Sequence, residues 1–253
     1  MATGSTTPVP AIPPFQPGEP SINYDVLVTE DDRPVDSIYA ERQHWLLTTP
    51  LNESWKGPGD GAPFFCTTDV ALFHTTNQPP FAPDALLSLG VSPPQGDLSL
   101  KENRSYFMWK YGKPPDALVE VVSGTDGGEL TTKFAGYARL RATYYIVWDP
   151  FLYLGDKKLY CFALEQGKYV PCEPWFPGLE LGLKIWQGSY QKTQATYLRW
   201  CDREGNFIPT GNERAEQEKQ RAEQEKQRAE QEKQRAERLA EKLRALGVDP
   251  NQP

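Results

Sequence analysis

Apolar and polar positions alternate along this chain in short bursts separated by proline- and glycine-rich breaks, a pattern that predicts strands and helices in mixture. The first burst follows Asp36 and Ser37, both good helix N-caps, and predicts a helix to about Thr49, stopped by Pro50, with Ile38, Trp45 and Leu46 facing inward. APFFCTTDVALFH and FAPDALLSLGV then read as two strands joined across TTNQPP. The stretch VSPPQGDLSLKENRSYFMWKYGK, which carries Arg104, Lys110 and Lys113, reads as a loop excursion. Beyond it the pattern predicts a strand over 117–123, a helix over 129–141 and a buried strand in TYYIVWDP. After Pro150 the texture changes to hairpins: KLYCFALEQGKYVP, then GLELGLKIW with period two through Leu179, Leu181, Leu183 and Ile185, then YLRWCDREGNFIP around Gly205. These additions either widen the sheet or form a small β extension.

The two ends of the chain have a different character. Residues 1–20 hold six prolines among Thr, Ser and Gly and have almost nothing to bury, which predicts a disordered or extended arm. Residues 21–211 form the body, and 212–253 a charged helix. RAEQEKQ occurs three times in succession from Arg214 to Gln234. Seven-residue spacing stacks Ala215, Ala222, Ala229, Ala236 and Leu243 on one stripe, beside Glu218, Glu225 and Glu232 on its companion. Alanine opposite glutamate is a poor coiled-coil seam. Pairs such as Arg214–Glu218 and Lys219–Glu223 support a solvated single helix by about 0.2–0.5 kcal/mol each. Leu239 and Leu246 leave a weak homodimer contact open at its far end.

Composition narrows the functional classes. The 253 residues, 38% of them hydrophobic, suffice for one moderate domain with a sizeable core. There is no apolar run long enough to span a bilayer and no secretory pattern at the N-terminus. Cys66, Cys161, Cys172 and Cys201 are scattered without C-x-x-C spacing, which favours reduced thiols in a cytoplasm over a disulfide framework or a zinc site. Of the net charge of −7, the segment 213–246 carries +1, with ten Lys/Arg against nine Asp/Glu, so the remainder carries −8. An acidic body argues against broad, non-specific nucleic-acid binding. It leaves room for an enzyme whose basic groups gather locally around an acidic metal site.

Candidate chemistry concentrates in PPDALVEVVSGTDGGELTTK, residues 114–133. In a strand, Asp116, Leu118, Glu120 and Val122 share one face. A carboxylate at Glu120 among leucine and valines is costly without a partner or a metal. Asp116 lies four residues away, roughly 13 Å of extended chain, too far to share one ion with Glu120 unless the strand bends. APDALLSLG repeats the Pro-Asp-Ala-Leu pattern and sets Asp84 at the mouth of an earlier strand. If that strand lies beside the Glu120 strand, Asp84 and Glu120 converge, and two carboxylates completed by water and phosphate oxygens suit Mg²⁺. Lys133 falls on the flank of the apolar side of the following helix. It either covers the helix edge with its stem or reaches over the strand ends toward a phosphate. His44 and His74, the only histidines, show no paired ligand spacing and read as structural.

Asp84, then Glu120 in VEVVS, then Lys133 in KFAGYARLRATYYIVWDP, resembles the Uma family of restriction endonucleases within the PD-(D/E)xK nuclease superfamily, over roughly 26–183. The resemblance implies a restriction-endonuclease-like α/β core, a mixed sheet flanked by helices, here extended by C-terminal β-hairpins and a long charged C-terminal helix. It implies a metal-dependent endonuclease acting on DNA, with Mg²⁺ or Mn²⁺ held by Asp84 and Glu120 and with Lys133 as the catalytic lysine. Val122 occupies the superfamily's usual lysine position, so the lysine has moved to the helix. Many members also place an acidic or polar residue on the first helix. Glu41 is the candidate here, with Gln43 and His44 as neighbours able to serve instead. Two other readings stay open: a silent nuclease-fold protein that binds nucleic acid or a partner, and a scaffold working through its charged helix.

Overall fold

The computed structural model describes residues 23, 27, 37–59, 61–125 and 127–245. The proline-rich arm expected over 1–20 lies outside them. The chain divides into two units, Met1–Ile208 and Pro209–Pro253.

Helix α1, Ile38–Ser54, opens on Ser37, whose hydroxyl accepts the Ala40 N–H at 3.1 Å. It does not stop at Pro50 as expected but runs one turn further. A proline inside a helix forfeits one N–H bond. Here burial of Pro50 and Leu51 outweighs that loss. The inward face matches expectation at Leu46, which is fully buried, and differs at Ile38 and Trp45. The buried set Ala40, Gln43, His44, Leu47 and Leu51 follows helical spacing. Ile38 and Trp45 fall beside that stripe and are 68% and 41% exposed.

The main sheet is built from β1 (Phe64–Thr68), β3 (Ala85–Leu89), β5 (Ala117–Val121), β6 (Tyr144–Trp148), β7 (Leu159–Glu165) and β8 (Lys168–Pro171), in the order β1-β3-β5-β6-β7-β8. β5 and β6 run parallel, and the remaining neighbours pair antiparallel. Parallel neighbours require a crossover, which here contains helix α3, Thr132–Leu140. The excursion read as a loop contains a 3₁₀ turn at Lys101–Asn103, a short strand β4 (Tyr106–Phe107) and one turn of helix α2 (Met108–Tyr111). β4 pairs in parallel with β2, Leu72–Phe73. Of the C-terminal hairpins, the first joins the main sheet as β7 and β8. β9 (Trp175–Phe176), β10 (Leu181–Tyr190) and β11 (Thr193–Cys201) form a separate antiparallel sheet. The turn at Gly205 returns to β11 through a single bridge, Cys201 to Phe207, rather than a full hairpin.

Strand alternation divides the core in two. Val119, Val121, Ile146 and Trp148 pack with Leu47 and Leu51 of α1 and with Leu181, Leu183, Leu198 and Trp200 of the second sheet. Leu86, Leu118, Val122, Tyr145 and Val147 pack on the opposite face with Tyr137 and Leu140 of α3. Glu120 therefore belongs to the α3 face, enclosed by apolar side chains.

The second unit carries helix α4, Gly211–Ala245. Thr210 and Glu213 form a reciprocal N-terminal cap: the Thr210 N–H donates to Glu213 Oε2 at 2.8 Å, and the Glu213 N–H donates to Thr210 Oγ1 at 3.3 Å. The heptads then repeat one contact, with Gln220, Gln227 and Gln234 each donating to the glutamate four residues earlier. Arg214 and Glu218 pair at 3.8 Å. Among the described residues, no helix is long and apolar enough to cross a membrane.

Candidate active site

The site begins with the register of β3 against β5. Ala85 pairs with Val119 and Leu86 with Leu118, so continuing one step sets Asp84 across from Glu120. Side chains directly opposite in an antiparallel pair stand about 5 Å apart at Cβ. The Asp84 carboxylate is fixed there by the Val121 N–H, which donates to Oδ2 at 2.5 Å.

Glu120 is 1% exposed and has a donor on each oxygen. Lys133 Nζ donates to Oε2 at 2.8 Å and the Tyr137 hydroxyl to Oε1 at 2.5 Å. The two donors stand four residues apart on α3, so one helical turn presents both to the same carboxylate. Gly136 permits a close approach beside them, since a Cβ there would lie 2.5 Å from the Phe81 ring. That ring packs on Tyr137 at 5.1 Å between centroids. Burial, reinforced by Asp84, pushes the Glu120 carboxyl up to about 8, while Lys133 and Tyr137 pull the other way. Burial likewise raises Asp84, opposed by His44, the Val121 N–H and Lys133. Burial alone would depress Lys133, but the carboxylates of Glu120, Asp84 and Glu129 outweigh it and hold the ammonium above its ordinary value. Glu129 is itself buried, its Oε1 3.8 Å from Lys133 Nζ.

From α1 the structure brings His44 to this place. Its side chain is 6% exposed. Nε2 lies 3.6 Å from Asp84 Oδ1, and Nδ1 3.1 Å from Asp69 Oδ2. Glu41 points elsewhere, 43% exposed and 3.6 Å from Arg42. Gln43 is fully buried and bonds both backbone groups of Leu198 at 2.8 Å, tying α1 to β11. Asp116 sits at the other end of β5, accepting the Leu89 N–H at 2.7 Å and pairing with Lys113. Asp84, Glu120 and Lys133 are thus gathered, whereas Glu41, Gln43 and Asp116 are not.

Three neighbours escaped the sequence reading as site residues, Asp69, Glu129 and Tyr137, and His44 entered it only as a neighbour able to serve instead of Glu41. Tyr137 had a signal, since it follows Lys133 by one helical turn. His44 had a weaker one, lying on the stripe of Ala40, Leu47 and Leu51. Asp69 had none, because only the fold carries the residue after β1 back to α1.

The donor set fits a divalent cation. Ligating atoms of His44, Asp69 and Asp84 all lie within 4.8 Å of one another, with the buried Glu120 carboxylate across the strand pair. Carboxylates and an imidazole are the donors that hard and borderline divalent ions take.

A mixed sheet flanked by helices, with carboxylates and a lysine gathered where the β5–α3–β6 crossover leaves the sheet, defines the restriction-endonuclease-like class. The family model described as Uma2, putative restriction endonuclease, matches residues 33–187. That is more than half of the chain, and the chain belongs to this family of nucleases. No curated protein and no solved structure matches it.

Proposed function

We propose that this protein is a divalent-metal-dependent endonuclease that hydrolyses phosphodiester bonds in DNA, using Mg²⁺ or Mn²⁺. The observation that carries this reading is the Glu120 carboxylate, buried on the α3 face, beside Asp84, with Lys133 and Tyr137 on its two oxygens. Burying an ionisable group in this way costs several kcal/mol in general, and packing alone would be served by another leucine.

Asp84 and Glu120 would hold the cation, and Asp84 keeps its aim through the Val121 N–H. A bound divalent ion polarises the phosphoryl group and lowers the pKa of the attacking water. Lys133 stands 32% exposed at the rim of the carboxylate cluster, placed to orient that water and to offset negative charge developing on phosphate oxygens. Tyr137 positions Glu120. The acidic body is consistent with a site whose positive charge is local.

The test is cleavage of supercoiled plasmid and of single-stranded DNA by purified protein with Mg²⁺, Mn²⁺ or chelator, beside folded Glu120→Ala. Metal-dependent nicking lost in the variant is the expected result. Equal background in both proteins would favour instead a silent nuclease fold that binds without cutting.

A further inference from the structure

The His44 imidazole stands between two carboxylates that reach it from different segments, and its two nitrogens are addressed differently. Nδ1 is at hydrogen-bond distance from Asp69, 3.1 Å, whereas Nε2 faces Asp84 Oδ1 at 3.6 Å, beyond normal hydrogen-bond length. Two donors each about 2.1 Å from one ion lie about 3–4 Å apart across ordinary coordination angles, which is the separation seen. A carboxylate accepting Nδ1–H while Nε2 binds metal is the usual orienting arrangement around a metal-bound histidine. Asp69 is held for that task. It adopts φ +51, a conformation that aspartate tolerates better than most residues, and its N–H donates to the Asp84 carbonyl at 3.3 Å. Asp69 and Asp84 are therefore linked through backbone as well as through the ring.

Resting on the metal-site reading above, we infer that His44 is a direct ligand of the cation through Nε2, that Asp69 is its positioning residue, and that the site takes Mn²⁺ or Co²⁺ in preference to Mg²⁺. Mg²⁺ favours an all-oxygen shell, and imidazole nitrogen shifts preference toward the later divalent ions. His74 offers a control: its Nε2 lies 2.9 Å from Gln78 Oε1, in a separate environment.

The experiment is Mn²⁺ titration of the full-length protein, read by electron spin resonance with spin-echo detection of ¹⁴N coupling. The wild type, His44→Gln, Asp69→Asn and His74→Gln are compared, with circular dichroism confirming their folds. Imidazole coupling is expected in the wild type and in His74→Gln, and not in His44→Gln. Asp69→Asn keeps a side chain suited to positive φ and is expected to weaken Mn²⁺ binding by about 10- to 100-fold. If His44→Gln fails to fold, the wild-type coupling and the Asp69→Asn affinity decide. Bound Mn²⁺ without nitrogen coupling, or coupling that survives in His44→Gln, overturns the inference. It would leave His44 a structural link between two carboxylates. Absence of Mn²⁺ binding overturns both this inference and the metal-site reading. Plasmid nicking measured in parallel separates the two: nicking without nitrogen coupling keeps the nuclease and removes His44 as a ligand, while coupling without nicking keeps the ligand and removes the endonuclease.

Discussion

Asp84 and Asp116 occupy the same place in two copies of one motif, Pro-Asp-Ala-Leu, at 83–86 and 115–118. Each opens a strand, and because β3 and β5 are antiparallel the two aspartates mark opposite ends of the pair. Locally they do the same thing. Asp84 accepts the N–H of Val121, the last residue of β5, and Asp116 accepts the N–H of Leu89, the last residue of β3. Their surroundings differ. Asp116 meets Lys113 of its own loop, whose ammonium also donates to the Leu89 carbonyl at 2.9 Å, and the group closes on itself. Asp84 meets Glu120 of β5, His44 of α1 and the field of Lys133 on α3. On the reading proposed above, with the two side chains about equally exposed at 20% and 21%, a strand-end carboxylate takes part in chemistry when independent elements converge on it. Otherwise it remains a cap.

That contrast can be broken first at the lysines. Lys133→Met is expected to lower metal-dependent nicking by about 100-fold or more, the scale of losing a preorganised electrostatic contact. Lys113→Met is expected to stay within about threefold. Plasmid nicking rates at saturating metal decide between them. Stability sharpens the same comparison, because Lys133→Met leaves Oε2 of the buried Glu120 carboxyl without its donor. Urea unfolding without metal is expected to show a loss of about 2–3 kcal/mol for Lys133→Met, against less than about 1 kcal/mol for Lys113→Met at a more open pair.

The pH dependence follows from Glu120. Its folded value, about 8, lies above its ordinary 4.5, so the folded protein binds the proton more tightly than the unfolded chain. The stability linked to that proton is fully present below about 4.5 and is lost as pH rises toward about 8. The metal-free wild type should therefore melt at falling temperature across that window. Glu120→Gln should flatten the slope, and Asp116→Asn should leave it. A slope unchanged in Glu120→Gln would place the responsible group elsewhere. The smallest effect is expected from truncation at Pro209, which removes the charged helix as a separate unit. Nicking by the remaining body should change by less than about twofold.

How much of this was legible beforehand varies with the range of the interactions. Period-two runs and the Pro-Asp repeat were enough to read strands at Ala85–Leu89 and Ala117–Val121 and to suggest that Asp84 and Glu120 meet. Helical spacing put Lys133 on the right flank of α3. Pro50 misled because a local breaker rule cannot weigh the burial of Leu51 behind it. Glu41 misled because charge was the visible feature of α1, whereas His44 depends on how the helix is rotated against the sheet. Asp69 was invisible for the same reason: its partner lies on another element, 25 residues away in the chain.

The most direct measurement is the nicking rate of Asp84→Asn beside Asp116→Asn, in the same plasmid assay with Mn²⁺ and with chelator. The two substitutions make the same chemical change in the same motif at opposite ends of one strand pair. The expected result is metal-dependent cleavage lost in Asp84→Asn and kept in Asp116→Asn, with both proteins folded. Cleavage kept in Asp84→Asn, or lost equally in both, would contradict the assignment of chemistry to the Asp84–Glu120 end.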